Sequence, residues 1–197
     1  MSGVRQSCLL AIVGLAITAC ASPPLTLYAL GAAGGGGAPA DTRLQPGATV
    51  IEVARVTLPD YLDTQDLMVR RGSALDTSHT GRWASRRSLG ATELLAARLA
   101  LTRPDALVTD QPQTTAPSYR LLVNVSRFDI AAEPAGAGRA TLEADWQIVP
   151  RDAARPTLRS RTSLDAAGPV GSDQDIVALE TALLSRLADA IDITRLR

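Results

Sequence analysis

Short apolar runs and polar breaks alternate along most of this sequence, and the period of the alternation changes from segment to segment. Residues 140–149 carry the clearest signal: Leu142, Ala144, Trp146 and Ile148 alternate with Thr141, Glu143, Asp145 and Gln147. A period of two puts each set on its own face of a pleated strand, so one buried and one wet face are predicted. Residues 119–130 repeat the pattern, with Tyr119, Leu121, Val123 and Val125 on one face and Asn124 and Ser126 opposite. The segment PAGAGR at 134–139 supplies the turn between them. At 156–164, Leu158 and Leu164 flank polar positions that include Arg159 and Arg161, a composition suited to an edge strand. Upstream, ATVIEVARVTL at 48–58 is rich in β-branched residues and ends at Pro59. LMVRR at 67–71 and ALDT at 74–77 read as a hairpin about Gly72-Ser73. The short apolar patch Leu25–Leu30 can pair as a further edge strand.

Two segments switch to a helical period. Residues 84–101 contain no proline and carry an apolar stripe of Ala91, Leu95, Ala96 and Leu99, closed by Pro104. Residues 173–192 follow a Ser172-Asp173 cap, with Ile176, Leu179, Leu183, Leu187 and Ile191 on one face. Glu180, Arg186 and Asp189 are expected to face away from the core. Residues 105–118, with Pro112 and Pro117, read as a polar loop. The resulting order is β-ββ-α-βββ-α. Short links make the three late strands antiparallel, and the predicted fold is α/β: a mixed sheet of about five to six strands with two main helices packed on it.

The N-terminus has a different logic. After MSGVRQS, residues 8–17 (CLLAIVGLAI) form an unbroken apolar run, too short for a bilayer span of ~20 residues. A basic start, a short apolar run and small residues describe a secretory signal. Ile17-Thr18-Ala19-Cys20 then fits a bacterial lipobox. The thiol of Cys20 is the nucleophile that takes a diacylglyceryl group, and small residues before it let the signal peptidase approach. Residues 1–19 are therefore expected to be the signal peptide, and palmitate-type acyl chains on Cys20 the anchor. Ala21 follows the cysteine where an inner-membrane retention signal would carry Asp, which directs the expectation to the periplasmic face of the outer membrane. Residues 20–47 read as lipidated anchor and flexible tether, with a Gly/Ala/Pro-rich part at 31–47 and a reach of ~30 Å. Residues 48–197 are expected to form a single globular domain.

Composition narrows the function classes. The chain of 197 residues carries 20 basic and 20 acidic side chains, so no bulk charge favours nucleic acid. All the basic residues are arginine. Cys8 leaves with the leader, so the mature chain has Cys20 alone and no internal disulfide. The single histidine, His79, has no adjacent nucleophile in the sequence, and no G-x-S-x-G elbow occurs. Asp60, Asp63 and Asp66 lack the glycine and terminal glutamate of a calcium loop and read as solvated loop carboxylates. No catalytic residue, cofactor or metal is expected.

One run calls for more. Leu58-Pro59-Asp60-Tyr61-Leu62-Asp63 is followed by Leu67-Met68-Val69-Arg70 and later by Arg82-Trp83. Two readings fit it: a turn whose Tyr and Leu pack on the sheet edge, or an aromatic and arginine-bearing surface that docks a partner. With the lipobox, Tyr28-Ala29-Leu30, the L-P-x-Y-L-D run, Arg127-Phe128 and Trp146, this chain resembles the ABC-type transport auxiliary lipoproteins. These are the PqiC-like subunits that accompany MCE-type lipid transporters. It departs from them after the tryptophan, where relatives commonly carry Pro-Leu and this chain reads Ala84-Ser85. The resemblance implies a non-enzymatic lipoprotein, anchored in the outer membrane, that docks the periplasmic MCE protein of an ABC lipid transporter. It also implies a fold similar to the TolB N-terminal domain, and it allows a homo-oligomer. On that basis Tyr61, Leu62, Arg70 and Trp83 are the expected partner-binding residues, with Cys20 the lipidation site. The alternative is a stand-alone lipoprotein that binds a small apolar ligand or assists outer-membrane assembly. A deep apolar pocket of ~300 Å³ or more favours that alternative; a wet, shallow sheet face favours docking.

Overall fold

The computed structural model describes residues 24–30, 47–114 and 116–196. The signal peptide, Cys20 and the glycine-rich part of the expected tether lie outside the described residues. Eight strands and two long helices follow in the order β1 (Thr26–Tyr28), β2 (Val50–Val53), β3 (Asp66–Arg71), β4 (Ala74–Trp83), α1 (Arg87–Thr102), β5 (Leu107–Thr109), β6 (Tyr119–Ala132), β7 (Ala137–Pro150), β8 (Leu158–Pro169) and α2 (Asp173–Ala190). The mixed α/β class and the β-ββ-α-βββ-α order stand. The strands beyond five or six are the short ones: β1, from the Leu25–Leu30 patch, and β5, inside the segment read as a polar loop. Three residues carry too little periodicity to mark β5; it exists because β2 offers it a parallel partner.

β6 organises the sheet. Along its length it pairs antiparallel with β7, which in turn pairs with the edge strand β8. Its other side is shared: β2 pairs with Tyr119–Leu121 and β3 meets Ala131, both parallel. Beyond β3 lie β4 and, parallel to it, β1. The residues after β2 continue beside β6, as Thr57 N–H donates to the Val123 carbonyl and Val125 N–H to the Thr57 carbonyl. The 48–58 segment thus follows one course, although its regular strand stops at Val53. A register shift between Val125 and Arg127 explains a change of phase in β6. Before it the buried residues are Leu121, Val123 and Val125; after it they are Phe128 and Ile130. A bulge inserts one residue, so the apolar set stays on the core face.

The helices cover one face. Ala91, Leu95, Ala96 and Leu99 of α1 and Leu183, Leu184 and Leu187 of α2 share a core with Leu121, Val123, Leu142, Ala144 and Ile148. Among the described residues no helix is long and apolar enough to cross a membrane. Ser172 caps α2 by accepting from the Asp175 N–H, and the Asp175 carboxylate accepts from the Ser172 N–H in return.

Two expectations change. Thr26–Tyr28 is part of the sheet, so the folded unit takes in β1 ahead of position 48. Glu180 does not face away from the core: it is 2% exposed and lies 3.2 Å from Arg87 on α1. It sits four residues after Ile176 and three before Leu183, which puts it on their face of the helix. Arg87 also donates to the Asp66 carbonyl at 3.1 Å, and its guanidinium lies 5.7 Å from the Phe128 ring centre. Burial pushes the Glu180 carboxyl above its ordinary range, and the Arg87 charge opposes that shift.

Candidate docking surface

The L-P-x-Y-L-D run forms the turn that leads from β2 into β3. Pro59 offers its carbonyl to the N–H groups of Leu62 and Asp63, at 2.8 and 3.2 Å. This places Tyr61 outward, 48% exposed, and Leu62 inward, 1% exposed. Asp63 then accepts from the Ser88 N–H at 3.0 Å, at the start of α1. Arg55 reaches the same carboxylate at 3.5 Å and the Ser88 hydroxyl at 2.8 Å. Partial burial works against the charge on Asp63. The Ser88 hydrogen bonds, with Arg55 and Arg86, outweigh it and hold the carboxyl below its ordinary value.

The four expected partner-binding residues separate. Tyr61 is exposed, and Arg70 stands beside it on β3, paired with Asp129 at 2.9 Å. The hydrogen bond to Asp129 keeps Arg70 charged more firmly than usual, and Tyr61 adds to that effect. Leu62 and Trp83 are core residues, each 1% exposed, and do not offer a side chain to a partner. For Leu62 the turn geometry is the reason. For Trp83 it is strand alternation: at the end of β4 it falls on the same buried side as Gly81, while Arg82 between them points to solvent. The turn-packing reading therefore holds for Leu62 and Trp83, while the docking reading is left to Tyr61 and Arg70.

The three aspartates also separate. Asp60 is exposed, Asp63 caps α1, and Asp66 pairs with Arg82. Among the described residues no three His, Cys, Asp or Glu side chains converge on one point. His79 lies exposed on β4.

The sequence gives no direct sign of the surface beside the turn. The sheet face not covered by helices holds an open cleft of about 730 Å³, lined by Arg55, Leu122, Asn124, Asp145, Arg159 and Arg161 among others. Arg55 links cleft to turn, since it lines the one and bonds Asp63 of the other. Arg161 forms a two-pronged pair with Asp145 at 2.8 and 3.2 Å, which holds the carboxyl below and the guanidinium above their ordinary values. Arg159 is the one arginine among the described residues with no hydrogen-bond or ion-pair partner. Its spacing from Arg161 is legible in the sequence; Gln147 opposite Arg159, and Asp145 and Asn124 in line with Arg161, required the registers of β6, β7 and β8. The cleft exceeds ~300 Å³, but it is open and rimmed by charged side chains and not deep and apolar, so it fits the docking criterion more closely than that for an apolar-ligand pocket.

Residues 28–192 match the family model described as the ABC-type transport auxiliary lipoprotein component. The chain is similar in structure to an uncharacterised protein at a TM-score of 0.65 and 17% identity, covering 87% of this chain and 97% of that one. It is also similar to protein XCC0632 from Xanthomonas campestris at a TM-score of 0.56 and 13% identity, covering 73% and 80%. At such identities these likenesses concern the fold. No curated protein sequence matches significantly.

Proposed function

This chain belongs to the ABC-type transport auxiliary lipoprotein family, and from that premise we propose that it is a non-catalytic subunit docking the periplasmic MCE protein of an ABC lipid transporter. In this reading Cys20 carries the lipid that holds it to the periplasmic face of the outer membrane. The observation that carries the proposal is the family match from residue 28 to 192, which begins eight residues after the lipobox cysteine.

The chemistry of the anchor is brief. The Cys20 thiol gives up its proton and displaces the phosphate ester from the diacylglyceryl carbon of a phospholipid, water then cleaves the Ala19–Cys20 peptide bond, and the new amino group takes an acyl chain from a second phospholipid, which leaves as the lysophospholipid. The docking step is non-covalent. Tyr61 supplies area at small entropic cost, and Arg70 beside it is pre-set by Asp129, so neither must be reordered to meet a partner. The adjoining cleft enlarges the surface available to a partner. Its volume alone supports the second reading, a stand-alone lipoprotein that binds a small apolar ligand.

The deciding experiment is capture of the purified MCE protein by the lipoprotein. Retention that is lost on Tyr61→Ala, in a variant that melts like the parent, is the expected result. No retention of the MCE protein by the parent would overturn the proposal. Membrane fractionation of Cys20→Ser tests the anchor separately, and the variant is expected in the soluble fraction.

A further inference from the structure

β1 changes how the domain must stand on a membrane. If the whole of 20–47 were tether, the fold would roam on a long leash. Instead β1 is hydrogen-bonded into the sheet at Thr26–Tyr28, in parallel register with Gly81–Trp83 of β4. Leu30 follows it into the core at 5% exposure. The glycine-rich segment therefore joins β1 to β2 and does not separate the fold from Cys20. Six residues lead from Cys20 to Thr26. Fully extended they span ~20 Å, at roughly 3.3–3.6 Å per residue.

The two leucines next to that short leash are unusual. Leu25 is 53% exposed and Leu27 63%, while Tyr28 turns inward to the core. Alternation along an extended chain places Leu25 and Leu27 on the same side. Among the described residues β1 is also an edge, paired with β4 alone. The far edge, β8, is five strand spacings away along the path β1-β4-β3-β6-β7-β8, or ~24 Å at 4.7–4.9 Å per spacing.

We infer that β1 is the membrane-facing edge of this protein, with Leu25 and Leu27 in contact with lipid and the β7–β8 side held away from the bilayer. The inference rests on the lipid anchor at Cys20 and adds an orientation to it. The occupant of the leucine patch is the bilayer because the short leash from the acylated cysteine ends there. An interfacial contact of this kind adds apolar burial to an acyl anchor.

The test uses the full lipoprotein, reconstituted in phosphatidylethanolamine–phosphatidylglycerol vesicles that contain nitroxide-labelled lipid. A fluorophore is placed at His79→Cys on β4 or at Ser160→Cys on β8; both positions are exposed. Vesicle flotation is scored first: a protein that does not float overturns the anchor and with it the orientation. In a floating protein, quenching at position 79 is expected to exceed that at position 160 several-fold. Equal quenching, or stronger quenching at 160, overturns the orientation and leaves the anchor standing. In the Leu25→Asp/Leu27→Asp background, quenching at position 79 should fall about two-fold as the apolar contact is lost. Unchanged quenching there removes the leucines from the contact.

Discussion

The Asp63 carboxylate accepts a hydrogen bond from the Ser88 N–H at 3.0 Å, closing the start of a helix from 25 positions away in the chain. The residue at the ordinary capping position of α1, Arg86, makes no side-chain cap. A capping group supplied by the preceding turn replaces it and brings a negative charge to the positive end of the helix dipole. The run that looked like a docking motif is thus also the device that joins the turn to α1.

Replacing Asp63 with Ala should therefore lower stability by ~1 kcal/mol or more, the usual cost of a lost cap. Its pH dependence follows from the depressed carboxyl. The folded value lies below the ordinary 3.8, so the contribution is fully present above pH 3.8 and disappears as pH falls through the lower folded value. Thermal melts of parent and variant should differ at neutral pH and converge in strong acid; a constant difference down to the lowest pH would contradict the assignment.

Arg87 and Glu180 hold the two helices together through a buried ion pair that is imperfectly satisfied. Trp83 Nε1, Arg87 Nε and Glu180 Oε2 lack partners in the structure. Removing one member should cost ~3–5 kcal/mol, because the other is left buried without its partner. The double variant Arg87→Met/Glu180→Leu should recover most of that loss. Denaturant unfolding of the four proteins measures this; a double variant as unstable as the sum of the singles would contradict it.

Tyr61 and Trp83 should behave in opposite ways. Tyr61→Ala is expected to change the melting temperature little and to weaken capture of the MCE protein. Trp83→Ala is expected to cost ~3–5 kcal/mol by leaving a cavity, so any loss of capture would report misfolding. Circular dichroism melts run beside the capture assay separate the two.

Gly90 lets β1 dock closely. A Cβ at this position would stand 2.8 Å from Leu30 Cβ. Gly90→Ala should push the Leu30 segment off α1 at a cost of ~1–3 kcal/mol. Limited proteolysis should then cut the chain ahead of β2 faster than in the parent. An unchanged cleavage rate would mean that β1 is held by its pairing to β4 alone.

The sequence by itself determined most of the local structure. Strict alternation marked β7, and β-branched and aromatic residues at period two marked β6, because a half-buried strand records its two faces in its own residues. The leucine stripes marked both helices, and Ser172 with Asp175 forms the cap at α2. The lipobox sets the expected lipidation site, since the chemistry reads a few contiguous residues. Tertiary structure decided what depends on distant partners. Glu180 reads as a surface charge until Arg87 from another helix meets it. Trp83 reads equally as a packed or as a docking aromatic until the sheet and the helices close over it. β1 and β5 are too short to hold a strand alone and exist through β4 and β2. The cleft on the open sheet face needed the registers of three strands to bring Asn124, Asp145 and Arg159 together. Periodicity is a property of neighbours along the chain, whereas burial, pairing and surface shape belong to neighbours in space.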